Sequence, residues 1–357
     1  ERSRGLGDVY KRQVLKERKR KMTDSLEKIA KYIVSDGKGI LAADESNPTC
    51  TKRFDSIGVE STEDNRRDYR ELLFSADGME GNIGGVILYD ETIRQTSSDG
   101  TKLIDIISAN EALPGIKVDK GLEVINDQNE TITKGLEDLD VRCKEYNEMG
   151  AKFTKWRSVI NIGDSIPSYE CINQNMDILA KYAKIAQNNN MVPIVEPEVL
   201  INGVHDIHRA HEVSTACLSV LFEELEKKNV LIEGCILKPS MVTPGMDSEH
   251  TSTVEEVARM TIDCLKNNVP DSLPGITFLS GGQTELEATE HLNAMNQIGG
   301  FQWKLSFSYG RALQQSALKA WQGLSSNKEA AQQAFSHRAK MNKLAALGQW
   351  NKELETK

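Results

Sequence analysis

The sequence predicts a single (β/α)8 barrel with extra helices at its ends. Three observations carry that expectation. Eight short apolar runs recur along the chain, rich in β-branched and aromatic residues. Segments with the apolar period of a helix separate them, and the two kinds alternate strictly. Such alternation describes parallel strands joined by helical crossovers, which close into a TIM barrel when eight units follow one another. The 357 residues are enough for two domains, but α/β barrels exceed about 200 residues as one domain, so one domain is expected.

The predicted strands are Gly39–Ala43, Gly85–Tyr89, Gly115–Val118, Lys152–Trp156, Val192–Glu196, Gly234–Lys238, Ile276–Leu279 and Trp303–Phe307. Their apolar character is continuous rather than alternating, as suits strands covered on both faces. Val213, Ala216, Cys217, Val220 and Leu221 fall on one helical face, and Leu179, Tyr182, Ala183 and Ala186 repeat the spacing. Further helices are expected at Arg66–Ala76, Lys102–Ala109, Thr133–Glu148, Val254–Lys266, Glu285–Ile298, Arg311–Gln322 and 328–347.

Residues 1–21 carry nine basic and three acidic side chains and lack the apolar stretch of a secretory signal. They are read as a non-native or disordered basic extension, with the barrel over 22–347 and a C-terminal tail over 348–357. Without that extension the net charge of −9 becomes −15. An acidic chain is a poor general binder of nucleic acid, whose phosphates demand a basic footprint. No apolar run approaches the ~20 residues of a membrane span. Six scattered cysteines without a C-x-x-C pair read as free thiols in a reducing compartment. A cytoplasmic protein with neither nucleic-acid nor membrane partners is expected.

Reacting groups in such a barrel sit at the carboxyl ends of the strands. Those positions hold Asp44, Lys117, Lys155, Glu196, Glu198, Lys238, Ser280 and Arg311. Lysines among carboxylates suggest a particular chemistry. A lysine is a nucleophile only when neutral, and burial or nearby cations favour that form. The neutral amine condenses with a ketone to an imine, an electron sink once protonated. Carboxylates alongside move protons to and from the intermediates. This combination makes and breaks C–C bonds beside a carbonyl without metal or cofactor.

Two loops read as anion binders. Leu279-Ser280-Gly281-Gly282 follows the seventh strand, where paired glycines let backbone N–H groups approach an anion. Ser308-Tyr309-Gly310-Arg311 follows the eighth and opens a helix, adding a positive helix end and a guanidinium. Asp44-Glu45-Ser46-Asn47-Pro48-Thr49, with Lys52 and Arg53 beyond it, either binds a second anion or merely caps local turns through Ser46 and Thr49. His205, His208 and His211 span about 120° of a helix, and no Cys or further His completes a metal shell. They read as a solvated helix start.

These residues resemble class I fructose-bisphosphate aldolases. The matching runs are Gly39–Ser46, Gly115–Lys120, Phe153–Arg157, Ile194–Glu198, Leu237–Gly245, Leu279–Gln283 and Phe307–Leu313, in the family's order over roughly Leu26 to Ala346. The resemblance implies reversible, metal-independent cleavage of fructose 1,6-bisphosphate to dihydroxyacetone phosphate and glyceraldehyde 3-phosphate. It makes Lys238 the Schiff-base amine and Glu196 the residue handling carbinolamine protons. Asp44 becomes the base at the C4 hydroxyl, Lys155 its cationic helper beside Lys238, and Glu198 the residue orienting these groups. Ser280, Gly281, Ser308, Gly310 and Arg311 match contacts to the phosphate of the dihydroxyacetone half. Ser46, Thr49, Arg53, Lys117 and Arg157 match contacts to the other, although Asn47-Pro48-Thr49 departs from the animal-type T-G-S. A homotetramer is implied. Sedoheptulose 1,7-bisphosphate as main substrate, or a catalytically silent scaffold, are the alternatives. The family's tail ends in a tyrosine that assists proton exchange next to the imine, whereas this sequence ends Gln349 to Lys357 without one. Normal imine formation with slowed proton exchange is therefore expected.

Overall fold

The computed structural model describes residues 25–356, so the reading of 1–21 as an extension lies outside the described residues. Eight parallel strands form a closed barrel: β1 Gly39–Ala43, β2 Ile83–Leu88, β3 Leu113–Lys117, β4 Phe153–Ile160, β5 Val192–Val199, β6 Ile236–Leu237, β7 Gly275–Phe278 and β8 Lys304–Tyr309. They follow chain order around the barrel, and β8 closes onto β1 through Ile40–Ser308 and Leu41–Tyr309. The fold is the predicted one.

Strand lengths differ from the prediction in an informative way. β4 and β5 continue beyond Trp156 and Glu196, pairing from Phe153–Val192 through Ile160–Val199. Their last residues include Arg157, Glu196, Pro197 and Glu198, whose polarity hides strand from an apolar search. β6 is shorter than predicted, yet the Lys238 N–H still donates to the Val195 carbonyl at 2.8 Å, holding Lys238 in the ladder's register. The helix expected from Thr133 starts at Leu139, because Thr131–Thr133 instead pairs antiparallel with Leu122–Val124.

Helices surround the barrel, and their starts are fixed by side-chain caps. Thr62, Ser168, Asp206, Thr253 and Thr284 each accept a hydrogen bond from the backbone N–H three residues on, worth about 1 kcal/mol apiece. The cap at Asp206 begins the helix Ile207–Lys227, so the His205–His211 stretch is indeed a helix start, and His211 Nε2 lies 3.0 Å from Asp263. All six cysteines are free and buried. Among the described residues, no helix is long and apolar enough to cross a membrane.

The barrel's interior is a core of its own. Ile40, Ala42, Ile87, Phe153, Val192, Ile194 and Ile236 pack there with Leu26, Ala30, Ile33 and Val34. The helix over 25–33 therefore plugs the amino-terminal mouth. Close approach demands glycine at the rim: a Cβ on Gly84 would stand 2.1 Å from the Ile33 carbonyl oxygen. With one mouth sealed by apolar side chains, charged groups in the lumen can open only toward the other. The segment read as a tail is docked on the barrel's outer helices. Trp350 is buried, and its indole donates to Glu355, whose carboxylate is paired with Arg338 at 2.7 Å.

Candidate active site

A cleft of about 750 Å³ opens at the carboxyl end of the barrel. All of the predicted site residues line it: Asp44, Ser46, Thr49, Arg53, Lys117, Lys155, Arg157, Glu196, Glu198, Lys238, Ser280, Gly281, Ser308, Gly310 and Arg311. Strand pleating explains the convergence. Inward-facing residues alternate along each strand, so Lys155 continues the lumen row begun by Phe153, and Glu196 that of Val192 and Ile194.

At the floor, five charged groups meet. Lys155 Nζ lies 2.8 Å from Asp44 and 3.2 Å from Glu196, with Asp119 at 3.9 Å. The second of these is an ion pair without hydrogen-bond alignment. Lys238 Nζ lies 3.1 Å from the other oxygen of Glu196. Lys155, Glu196 and Lys238 are each under 5% exposed.

Electrostatics assigns their charge states. Burial disfavours the Asp44 carboxylate, but Lys155 and Lys238 outweigh it and hold its pKa well below the ordinary range. Glu196 is lowered in the same way: burial opposes, and Lys155, Lys238 and Arg157 prevail. Burial also disfavours the Lys155 ammonium, yet Asp44, Glu196 and Asp119 raise it far above an ordinary lysine. Lys155 is thus fixed as a cation inside a cage of carboxylates. Lys238, by contrast, has one carboxylate within ion-pair distance among the described residues, that of Glu196.

The walls carry the groups expected from sequence to meet anions. Gly281, with φ +54°, turns the chain after β7, and Arg311 Nη2 donates to the Gly281 carbonyl at 3.3 Å. Ser308 Oγ is buried and, among the described residues, has no hydrogen-bond partner. Ser46 precedes a helix, Asn47–Asp55, without capping it; its hydroxyl meets that of Thr49 at 3.1 Å instead. The Ser46 side chain therefore makes no cap hydrogen bond to that helix. Arg53, expected from sequence beside Ser46 and Thr49, reaches the turn after β8: a Cβ on Gly310 would lie 3.4 Å from its Nη2. Glu198, two residues beyond Glu196 on β5, accepts a hydrogen bond from the Arg157 guanidinium.

With that geometry established, comparison with known proteins is decisive. The family model for fructose-bisphosphate aldolase class-I matches residues 25–357. The chain belongs to the class I fructose-bisphosphate aldolase family. Among its relatives, "Probable fructose-bisphosphate aldolase class 1" of Xylella fastidiosa (strain 9a5c) is 51% identical over 329 residues, 92% of this chain and 98% of its own. The cytosolic fructose-bisphosphate aldolase 5 of Arabidopsis thaliana is 49% identical, covering 92% of each chain. A solved Plasmodium falciparum fructose-bisphosphate aldolase superposes with TM-score 0.92 at 44% identity, covering 93% of this chain and 96% of that one.

Two carboxylates of this aldolase site escaped the sequence reading. Asp119, two residues past the end of β3, ion-pairs with Lys117 and accepts the Arg157 backbone N–H at 3.3 Å. Glu45 pairs with Arg53 at 2.5 Å and accepts from Gln314 at 3.0 Å. Both lie in loops, where an acid reads as solvated surface. The alternation Lys117–Asp119 was the available signal, since residues two apart in an extended chain share a face.

Proposed function

We propose that the chain cleaves fructose 1,6-bisphosphate reversibly to dihydroxyacetone phosphate and glyceraldehyde 3-phosphate, with Lys238 as the attacking amine. The observation that carries this reading is the Lys238–Glu196 contact of 3.1 Å beside a lysine caged as a permanent cation. The neutral Lys238 amine adds to the C2 carbonyl, and Glu196 passes a proton to the carbinolamine hydroxyl, which departs as water. Asp44 then takes the proton of the C4 hydroxyl as the C3–C4 electron pair collapses into the protonated imine. Lys155, hydrogen-bonded to Asp44, stabilises the developing alkoxide charge. The resulting enamine is protonated at C3, and water releases dihydroxyacetone phosphate.

Ser280, Gly281, Ser308, Gly310 and Arg311 clasp the phosphate of the dihydroxyacetone half in this reading. Lys117, Ser46 and Thr49 receive the other, with Arg157 beside them and Arg53 between the two. Every step is written without a metal or cofactor. A cytoplasmic homotetramer completes the proposal. It is supported by the exposed apolar side chains Leu122, Val124 and Tyr169, and by the cytosolic relative above.

Borohydride reduction in the presence of dihydroxyacetone phosphate tests the reading. Covalent capture at Lys238, undiminished by a chelator, is expected, together with its abolition in Lys238→Met. Capture persisting in that variant moves the nucleophile elsewhere.

A further inference from the structure

The two anion-binding regions of the cleft differ in whether their cation is free. Arg311 is exposed and donates to the Gly281 carbonyl; among the described residues it has no carboxylate within ion-pair distance. Lys117 is the reverse. Its ammonium is ion-paired with Asp119 Oδ1 and donates to the Asp119 carbonyl at 3.0 Å, using two of its three hydrogens on one residue.

The two partners are not equally movable. The Asp119 side chain is 6% exposed and fixed from behind. Its Oδ2 accepts the Arg157 backbone N–H at 3.3 Å and stands 3.9 Å from Lys155, which the Asp44 and Glu196 carboxylates already hold in place. The Lys117 side chain, at 19% exposed, carries its charge on a four-carbon stem facing the cleft. A fixed anion thus restrains a swinging cation.

From this arrangement we infer that Asp119 is a positioning residue that competes with substrate for Lys117, loosening the hold on the phosphate at that end. The inference rests on the aldolase reading, which puts one phosphate near Lys117 and the other near Arg311. An oxyanion reaches the Lys117 ammonium only by displacing the Asp119 carboxylate, and the lost ion pair is subtracted from the affinity gained. At the Arg311 end no such partner has to be displaced.

The test compares Asp119→Asn with the unaltered chain on two ketoses, fructose 1,6-bisphosphate and fructose 1-phosphate. Loss of the competing charge lowers KM for the bisphosphate by about fivefold, the upper range of a partly exposed ion pair. KM for the monophosphate, which places nothing at Lys117, does not share that fall, so the ratio of the two KM values changes by the same factor whatever the loss of a carboxylate 3.9 Å from Lys155 does to both. Inhibition by glyceraldehyde 3-phosphate tightens by about the same factor, and Asp119→Glu restores the original values. In a Lys117→Met background the Asp119→Asn change leaves that ratio unaltered. Equal shifts for both ketoses, or a ratio that still changes without Lys117, overturn the inference. Should Asp119→Asn not fold, a crystal structure of the unaltered chain with glyceraldehyde 3-phosphate decides: Lys117 must have parted from Asp119 to meet the phosphate. If the unaltered chain cleaves neither ketose, the aldolase reading itself fails. If it cleaves both and Asp119→Asn leaves their KM ratio unchanged, only the competition does.

Discussion

At the scale of single residues, the floor of the cleft is a balance of buried charges that cannot be altered one at a time. Removing one member of a buried charged group leaves the others uncompensated, at a cost of about 3–5 kcal/mol. Lys155 is the member on which the others depend. Its ammonium faces three carboxylates at 2.8, 3.2 and 3.9 Å, of which Asp44 is the nearest. In Lys155→Met, Asp44 and Glu196 lose the strongest influence holding their pKa values down, so both rise. Protonation then removes the base at higher pH, and the acidic limb of the kcat/KM profile moves upward. The rate itself falls by at least about 100-fold, as for loss of a group assisting proton transfer. An acidic limb left in place, measured by the pH dependence of residual turnover or of imine trapping, contradicts the cage. Lys238, Glu196, Lys155 and Asp44 could be read from sequence because each lies within or just past the apolar run of a barrel strand. Asp119 and Glu45 could not, since what distinguishes them is burial, and burial of a loop acid depends on partners distant in sequence.

At the scale of elements, sequence reading succeeded where burial is continuous and failed where it is not. β1 and the helix Glu285–Ile298 have their predicted bounds, the one wholly buried and the other held by a complete capping box at Thr284 and Glu287. The strand Leu122–Val124 is exposed at every position and, at three residues, is too short for its alternation to stand out. The helix Asn47–Asp55 buries only Cys50 and Phe54, too few for its period to show among the polar residues of an anion-binding loop. β3 illustrates an element whose sequence is set by a neighbour. Gly115 lies against Phe153 of β4, and a Cβ there would stand 2.2 Å from the ring. The ring cannot retreat, being fully buried within the lumen. Gly115→Ala is therefore expected to lower stability by about 1–3 kcal/mol through overpacking, seen as an earlier urea midpoint with an unchanged slope. Phe153→Leu, which empties space beside that position, should recover part of the loss in the double variant. Simple additivity of the two changes is inconsistent with direct contact.

At the scale of the whole molecule, the barrel separates stability from chemistry along its axis. The amino-terminal mouth is closed by Leu26, Ala30, Ile33 and Val34 against Ile40, Ile87, Val192 and their neighbours. The other mouth holds the cleft and its charges. Between them runs a lumen of fully buried side chains, and close packing of that kind resists deformation. The plug is what keeps water from reaching the floor of the site from below, and without it the lysine and carboxylate groups would be solvated from both ends. Ile33 is the most informative position, because it is fully buried and its backbone carbonyl lies against Gly84. Ile33→Ala leaves a cavity at the sealed mouth and is expected to cost about 2–5 kcal/mol, read from urea unfolding of the folded enzyme. Because the cavity opens at the end remote from Lys238 and Arg311, KM for fructose 1,6-bisphosphate should stay within about twofold of its original value, well under the 1.4 kcal/mol of a tenfold change. Loss of stability with KM preserved identifies the helix over 25–33 as a structural stopper. A KM that rises in step with the lost stability shows instead that the plug sets the position of the catalytic rim, and the division of labour between the two mouths is then refuted.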